Sequence, residues 1–171
     1  MKSGIGEAFL QLQNGVSLGA IVAVNAFGDI VRDGKIIAGA RSLKKGPLKL
    51  GKNDYFADTM EVMRSFAGRK IMSFATKRNT AIGAIVTNAQ LNKEEVNYMA
   101  DMASNGVALS VRPAFSMLDG DTVFGLATGQ VKSDISLLAA YAPQVFSQAI
   151  YNAVTNAEPA GGLPSYQSLQ K

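Results

Sequence analysis

The chain of 171 residues contains no histidine, no cysteine and no tryptophan. Without histidine or cysteine, neither a Ser-His-Asp triad nor a Cys-His pair can form, and a zinc site built from these side chains is impossible. The lack of cysteine also excludes disulfides, which is consistent with a reducing compartment. A hydroxyl nucleophile in this chain therefore needs a base other than histidine.

The α-amino group of an N-terminal threonine or serine is the remaining base with a precedent. Its pKa of about 7.7–8.0 lies near working pH without any tuning by the surroundings. Such an amine exists only if the chain is cut immediately before the nucleophile. Because histidine and cysteine are absent, the candidate nucleophiles are serine and threonine residues that cleavage of the chain would place at a new N-terminus.

The composition predicts one packed globular domain, because 47% of the residues are apolar and the formal net charge is only +4. Nucleic-acid-binding surfaces usually carry denser basic clusters interleaved with aromatic residues, so we expect no nucleic-acid partner. No apolar run approaches the roughly 20 residues that span a bilayer, and Met1 leads into no apolar signal core. We therefore expect no membrane partner and a cytoplasmic location.

Two glycine-containing segments resemble nucleotide-binding motifs but lack essential residues. Residues 46–52 have the spacing of a phosphate loop, yet Asn53 stands where Ser or Thr must hold the metal. Residues 4–6 lack the third glycine of a dinucleotide fingerprint because Phe9 occupies its place. We expect neither a cofactor nor a metal.

The stretch that begins at Thr80 is the most informative. The polar residues Lys77, Arg78 and Asn79 run directly into an uncharged, mostly apolar run that is typical of a buried strand. A hydroxyl at the first residue of such a strand is held on a rigid element with one side open to a cleft, which suits a nucleophile. An ordinary strand can also begin with threonine, and from this stretch alone that alternative is the commoner one.

Polar side chains at the ends of other predicted strands could complete a site. Asn25 ends the second strand of a predicted hairpin, where it either forms a turn or serves as an amide donor in an oxyanion hole. Asp119 and Asp121 flank Gly120 just before another strand. They form either an ordinary turn or a pair of acids that orients an amine and a hydroxyl.

Hydrophobic periodicity and turn signals predict a mixture of strands and helices. The predicted strands are 5–12, 16–25, 30–31, 35–38, a strand from residue 80, and 122–128. Asn14-Gly15 and Asp33-Gly34 are hairpin turn signals, and Gly28-Asp29 completes a turn after Asn25. The predicted helices are 54–66, a helix with an apolar stripe that reaches Val111, and 133–157. Asn92 is the expected N-cap of the second helix, and Glu95 three residues later approximates a capping box. A basic loop at 40–52 and a tail at 158–171 complete the chain. Strands covered by amphipathic helices predict a layered sandwich of either the α/β or the α+β class.

Several motifs are distributed along nearly the whole chain: MKSGIG at 1–6, AVNAFGD at 23–29, NTAIGAIVTNA at 79–89, Arg112-Pro113, DGDTVFGLAT at 119–128 and GLPSY at 162–166. In this order and spacing they resemble the L-aminopeptidase/D-esterase family, which includes β-peptidyl aminopeptidases and nylon-oligomer hydrolases. The resemblance implies an αββα sandwich, made by self-cleavage of a precursor into two subunits. Residues 1–79 would end the first subunit, and residues 80–171 would form the second.

The resemblance also implies roles for individual residues. The cut would fall between Asn79 and Thr80, so that Thr80 becomes the nucleophile and its freed amine the base. Asn25 would stabilise the oxyanion. Asp119 and Asp121 would position the nucleophile and the amine, and two aspartates at these positions resemble the nylon-hydrolase branch.

Family precursors are roughly twice as long as this chain, and the front half that helps to build their site has no counterpart here. We therefore expect three kinds of partner: a small peptide or amide substrate, the front half as a further segment or separate subunit, and other copies of the chain in a homo-oligomer. Acetyl transfer, as in the ornithine acetyltransferases, is an alternative activity. A non-catalytic assembly module is the alternative without chemistry.

Overall fold

The computed structural model describes residues 1–12, 15–42, 55–65 and 79–170, and these ranges form a mixed α+β fold. The strands are β1 (Ile5–Gln11), β2 (Ser17–Asn25), β3 (Asp29–Arg32), β4 (Lys35–Ala38), β5 (Thr80–Ala89), β6 (Val111–Arg112) and β7 (Thr122–Val131). The helices are α1 (Thr59–Arg64), α2 (Lys93–Ser110), α3 (Ile135–Thr155) and α4 (Tyr166–Leu169).

The main sheet has the strand order β1-β2-β5-β7. The first three strands pair antiparallel, and β7 joins β5 in parallel. The predicted hairpin of β1 and β2 is confirmed, and Gly15 in its turn has a φ of 77°, a conformation that glycine adopts without strain. Asn14, the other predicted turn residue, lies outside the described residues.

Helices α2 and α3 cover one face of this sheet and form the core with it. Phe146 of α3 and Ile85 of β5 are fully buried there, and full burial of such a side chain contributes about 1.5–3 kcal/mol. Glycine permits the close contact at one point, because a Cβ on Gly6 would lie 2.2 Å from the Ala149 carbonyl oxygen. The sequence thus encodes both the apolar surface and the space for the helix.

The opposite face of the main sheet, which we call the open face, is apolar but not covered by a helix in the part of the chain that the structure describes. Side chains alternate between the two faces along each strand, so every second residue lies on this side. Six large apolar side chains on it are between 45% and 70% exposed: Ile5, Phe9, Ile21, Ile82, Phe124 and Leu126. The expectation that helices cover the strands is therefore wrong for this face.

A second, small sheet has the strand order β4-β3-β6. Its hairpin turns at Asp33 and Gly34, both with positive φ, as the sequence predicted. Val111 was expected to continue the apolar stripe of the helix before it, but α2 ends at Ser110 and Val111 pairs with Ile30. A β-branched residue accepts this extended conformation easily, and the proline that follows Arg112 disfavours helix there.

Helix α1 is shorter than the predicted helix 54–66, because it begins only at Thr59. Asp58 is the N-cap of this helix, and its φ of 52° is not helical. Its carboxylate accepts the Met60 N–H at 3.1 Å and the Glu61 N–H at 3.3 Å. Phe56 pairs with Arg41 in an isolated bridge instead of joining the helix. Residues 43–54 and 66–78, which include most of the predicted basic loop, lie outside the described residues.

The caps of the long helices follow the sequence. Asn92 and Glu95 form the predicted capping box of α2, with N–H to side-chain distances of 3.0 and 2.8 Å. Asp134 caps α3, which continues through Pro143. No helix in the described ranges is long and apolar enough to cross a membrane.

The predicted tail, residues 158–171, is more ordered than expected. It contains α4, and Ser165 at the start of that helix is fully buried. The Pro164 carbonyl accepts the Lys2 N–H at 2.8 Å, which joins the segment to the beginning of the chain. Local composition could not predict this contact because it links positions far apart in sequence.

Candidate active site

Thr80 is the first residue of β5 and pairs with Asn25, the last residue of β2. Its neighbour Ala81 is 1% exposed and packs toward the helices. Because side chains alternate along a strand, Thr80 lies on the other side, at the end of the open face. Asn25, directly opposite Thr80 in the pairing, lies on that same side. The main sheet thus brings the predicted nucleophile and the predicted oxyanion donor together.

The carbonyl oxygen of Asn79 accepts two hydrogen bonds. The Thr80 hydroxyl donates to it at 2.5 Å, and the Gly120 N–H donates to it at 3.0 Å. Asn79 also pairs with Asp119 in an isolated parallel bridge, which fixes the backbone just before Thr80. The peptide carbonyl at the predicted cut is therefore held between the predicted nucleophile and a backbone donor. Sequence reasoning treated Gly120 only as a turn residue.

The contact between the Thr80 hydroxyl and the Asn79 carbonyl leaves little room for a side chain at position 120. A Cβ built on it would lie 3.0 Å from the Thr80 hydroxyl oxygen, which is tighter than an ordinary contact. The glycine between the two aspartates thus leaves room for the hydroxyl and supplies the N–H that faces the Asn79 carbonyl.

Asp121 holds the backbone on the other side of Thr80. Its carboxylate accepts the Ala81 N–H at 2.7 Å and the Phe115 N–H at 3.0 Å. Burial raises the pKa of Asp121, the hydrogen bonds from Ala81 and Phe115 lower it, and the charge of Asp119 adds to the rise. The net pKa is raised, so this carboxylate takes up a proton more readily than an ordinary aspartate.

Asp119 connects the Thr80 region to the turn that follows Asn25. One carboxylate oxygen accepts the Phe27 N–H at 2.9 Å, and the other accepts the Ser116 hydroxyl at 2.8 Å. Ser116 was not singled out from the sequence, although a serine three residues before an aspartate is a usual pattern in turns. The described contacts of both aspartates are therefore to backbone N–H groups and to Ser116. Their action on a free amine stays a prediction, since Thr80 is within an intact peptide here.

A pocket of about 410 Å³ opens beside these residues and has a mostly apolar lining. Asn25 and Asn79 line it, as do Gly39 after β4 and Thr59 of α1. Lys2 and Arg41 are the cations among its described lining residues. No three acidic side chains in the described ranges lie close enough together to hold a metal ion.

Comparison with known proteins gives the chain its family. The profile of peptidase family S58 matches residues 1–167. An uncharacterized aminopeptidase of Mycobacterium tuberculosis is 31% identical over 99% of this chain and 52% of its own length. A 6-aminohexanoate-oligomer endohydrolase of Paenarthrobacter ureafaciens is 29% identical over 75% of this chain and 34% of its own length.

Among solved structures, the chain is similar to the L-aminopeptidase D-Ala-esterase/amidase of Ochrobactrum anthropi, described as a variant of the Ntn hydrolase fold. The TM-score is 0.62 at 17% identity, over 99% of this chain and 47% of that one, so the likeness concerns the fold. The chain spans about half the length of the curated aminopeptidases it matches, 52% in the Mycobacterium tuberculosis relative. With a family profile that extends over almost all of its residues, the chain belongs to peptidase family S58.

Proposed function

We propose that this chain carries the nucleophile of an amide hydrolase, and that Thr80 becomes an N-terminal nucleophile when the Asn79–Thr80 bond is cut. The observation that carries the proposal is the Asn79 carbonyl, which contacts both the Thr80 hydroxyl and the Gly120 N–H. Relatives named as aminopeptidases and as a 6-aminohexanoate-oligomer endohydrolase support a peptide or other amide as substrate.

Self-cleavage would proceed by an N-to-O acyl shift. The Thr80 hydroxyl oxygen attacks the Asn79 carbonyl carbon, and the negative charge that develops on the carbonyl oxygen faces the Gly120 N–H. The C–N bond breaks, the hydroxyl proton passes to the leaving nitrogen, and an ester joins Asn79 to Thr80. Water then hydrolyses the ester, which frees the Asn79 carboxylate and restores the hydroxyl beside a new α-amine.

Turnover would use the same hydroxyl with the freed amine as base. The amine accepts the hydroxyl proton while the oxygen attacks the substrate amide, and the proton then passes to the departing amine. Water hydrolyses the resulting acyl-Thr80 ester and completes the cycle. Asn25, which pairs with Thr80 across the strands, would donate its side-chain amide to the oxyanion.

The pocket beside Asn79 fits the acyl side of the substrate. In self-cleavage the Asn79 carbonyl is the acyl group that moves to Thr80, and Asn79 itself lines the pocket. A substrate carbonyl that reacts with the same hydroxyl must occupy the same place, so the group attached to it would extend into this pocket. The mostly apolar lining favours an apolar acyl group there.

The proposal also includes a covering segment. Thr80 and Asn25 lie at one end of the open face, whose large apolar side chains are between 45% and 70% exposed. Curated aminopeptidase relatives are about twice as long as the part that matches this chain. We propose that the additional length, in the same polypeptide or in a separate one, packs on the open face and supplies the missing wall of the cleft.

The deciding experiment combines intact mass with an amide assay, on the chain joined to a relative's additional segment. Cleavage at Asn79–Thr80 together with hydrolysis of peptide or 6-aminohexanoate amides would support the proposal. A chain that stays intact and hydrolyses nothing would support the assembly module instead. Turnover of acetylornithine without amide hydrolysis would support acetyl transfer.

Replacing Asn25 by alanine is expected to lower kcat by about 10²–10³-fold, the loss found when one oxyanion donor is removed. KM should change little, because the interaction strengthens only in the transition state. Steady-state kinetics on the cleaved enzyme measures both quantities. Asn97→Ala, on the outer face of α2, is the matched control and should leave kcat unchanged. An unchanged kcat in Asn25→Ala would assign Asn25 to the turn alone.

Asp121→Asn is expected to move the acid limb of the kcat/KM profile to lower pH and to reduce its height. Removing a negative charge near the Thr80 amine favours the neutral amine, so the base persists at lower pH. In the wild type, protonation of Asp121, whose pKa is raised, also contributes to the loss of kcat/KM at low pH. The asparagine of the variant cannot take up this proton, so the substitution moves the acid limb in the same direction. The height falls because an amide group cannot accept both backbone N–H groups that Asp121 binds.

The control for this variant is Asp101→Asn, an exposed aspartate of α2, whose pH profile should match the wild type. Asp119→Asn should behave like Asp121→Asn if the pair acts together on the amine. A wild-type profile in both variants would mean that the two aspartates only shape the turn.

A further inference from the structure

Asp29 is a buried carboxylate that the proposed chemistry does not use. It begins β3, four residues after Asn25, and is 1% exposed. One oxygen, Oδ2, accepts the Thr59 N–H at 2.6 Å. The other, Oδ1, has no hydrogen-bond partner within the described ranges of the chain. A buried carboxylate with an unpartnered oxygen costs stability, so its presence calls for another reason.

The contacts of Asp29 join three segments that wall the pocket beside Asn79. Its chain neighbours Gly28 and Ile30 line that pocket, as do Thr59 and Gly39. The carboxylate binds the Thr59 backbone, and its Oδ1 lies so close to Gly39 that a Cβ there would be 2.1 Å from the oxygen. Asp29 itself stands behind the lining, where it can act on the pocket only through these neighbours.

We propose that Asp29 is a positioning residue which sets the wall of the acyl pocket by holding α1 and the segment after β4 against the start of β3, and thereby determines which acyl groups fit. This inference rests on the proposed function, since it assigns that pocket to the acyl group. The substrate class affected is amides with bulky apolar acyl groups, which reach the wall. Small acyl groups do not extend that far.

The groups around Asp29 indicate that it holds neighbouring segments together and takes no part in the proposed reaction. Burial raises its pKa, the Thr59 hydrogen bonds lower it, and the neighbouring Asp58 raises it further. The Ala40 backbone N–H also lowers the pKa and has the smallest influence of these groups. Asp58 is itself paired with Arg112 at 3.8 Å. The described contacts of Thr80 are with Asn25, Asn79 and Gly120, so we expect a change of Asp29 to leave the predicted nucleophile in place.

The positioning is tested first in the 171-residue chain, independently of any activity. Asp29→Ala should speed amide hydrogen exchange of residues 55–65 while α2 keeps its protection. Asp29→Asn keeps an oxygen that can accept the Thr59 N–H and should restore slow exchange. Asp101→Ala makes the same truncation at an exposed position of α2 and should leave the exchange of residues 55–65 unchanged.

A double-mutant cycle with Gly39 tests the contact itself. Gly39→Ala should lower the Tm clearly when Asp29 is present, because the new Cβ collides with Oδ1. In an Asp29→Ala background the nearest remaining atom of residue 29 would be its Cβ at 3.4 Å, an ordinary contact, so the same change should lower the Tm far less. Equal Tm losses in both backgrounds would overturn the proposed contact.

Selectivity is tested in the hydrolysing protein. Asp29→Ala should lower kcat/KM for bulky apolar acyl amides by about 10–200-fold, mainly through KM, while amides of small acyl groups change little. Self-cleavage should persist. An unchanged ratio between bulky and small acyl groups, or unchanged exchange of residues 55–65, would overturn the inference and leave the hydrolase proposal intact. If the wild-type protein hydrolyses no amide, the proposed function is wrong and so is the assignment of the pocket to the acyl group. The exchange experiment would still show whether Asp29 holds residues 55–65 in place.

Discussion

Thr80→Ala is expected to abolish cleavage of the Asn79–Thr80 bond completely and, with it, all amide hydrolysis. In its complete context, the wild-type protein should separate at this bond, whereas the variant should remain a single species by intact mass spectrometry. The effect is all-or-none because one hydroxyl has both roles: it attacks the Asn79 carbonyl, and after the cut it attacks the substrate. No histidine or cysteine in the chain can replace it.

The local geometry explains why cleavage should occur at this bond. The Thr80 hydroxyl already contacts the carbonyl oxygen of the residue before it, and the Gly120 N–H contacts the same oxygen from the loop between Asp119 and Asp121. Loss of one preorganised oxyanion donor costs a reaction about 2.7–4 kcal/mol, so a donor already in place is a large part of the catalysis. Thr80→Ser keeps the attacking oxygen and should therefore still cleave.

Thr128→Ala, at an exposed position on β7, is the control for loss of a strand hydroxyl and should cleave like the wild type. Sequencing the new N-terminus should give Thr80 as its first residue. A Thr80→Ala protein that still separates at this bond would contradict the mechanism. So would a wild-type protein that stays intact in its complete context.

The position of Thr80 at the start of a strand could be predicted from the sequence, because an uncharged apolar run that follows a basic segment has few other interpretations. The capping box at Asn92 and Glu95 was predictable for a similar reason, since both groups lie within one helical turn. The pairing of Asn25 with Thr80 was not visible in any local pattern. It depends on which strands become neighbours in the sheet.

The features that sequence reasoning missed depend on contacts between distant segments. Asp29 was taken as a turn residue, but its burial arises because Thr59 and Gly39 pack around it. The start of α1 was misplaced because Asp58 adopts a positive φ, which local propensity disfavours for a residue other than glycine. Ser116 becomes recognisable only when its hydroxyl is seen to bind Asp119.

The second large effect is expected from the covering segment. The 171-residue chain alone should be inactive, and a relative's additional segment should restore both cleavage and hydrolysis. The large apolar side chains of the open face are between 45% and 70% exposed, so burying each would contribute about half to two thirds of the 1.5–3 kcal/mol that full burial provides. An apolar surface of this extent on a sheet favours association with another layer.

Activity should depend on this layer because Thr80 and Asn25 lie at the end of the open face. Without the layer, water enters the cleft and weakens the electrostatic interactions that stabilise an oxyanion. A misplacement of about 1 Å in reacting groups can cost about 10²-fold in rate, so a loosely held cleft loses much of its catalysis. Self-cleavage should suffer as well, since the Asn79 carbonyl must be held against the Thr80 hydroxyl.

Two matched variants separate this explanation from a general gain in stability. Leu126→Asp puts a charge on the open face and should prevent restoration by the added segment, whereas Leu109→Asp makes the same change at an exposed position on α2 and should permit it. Size-exclusion chromatography measures association, and intact mass with an amide assay measures cleavage and hydrolysis. Full activity of the 171-residue chain alone would show that its cleft is complete without a second layer. Equal restoration in both leucine variants would show that the added segment binds elsewhere, because a buried aspartate without a partner should not be tolerated under a packed layer.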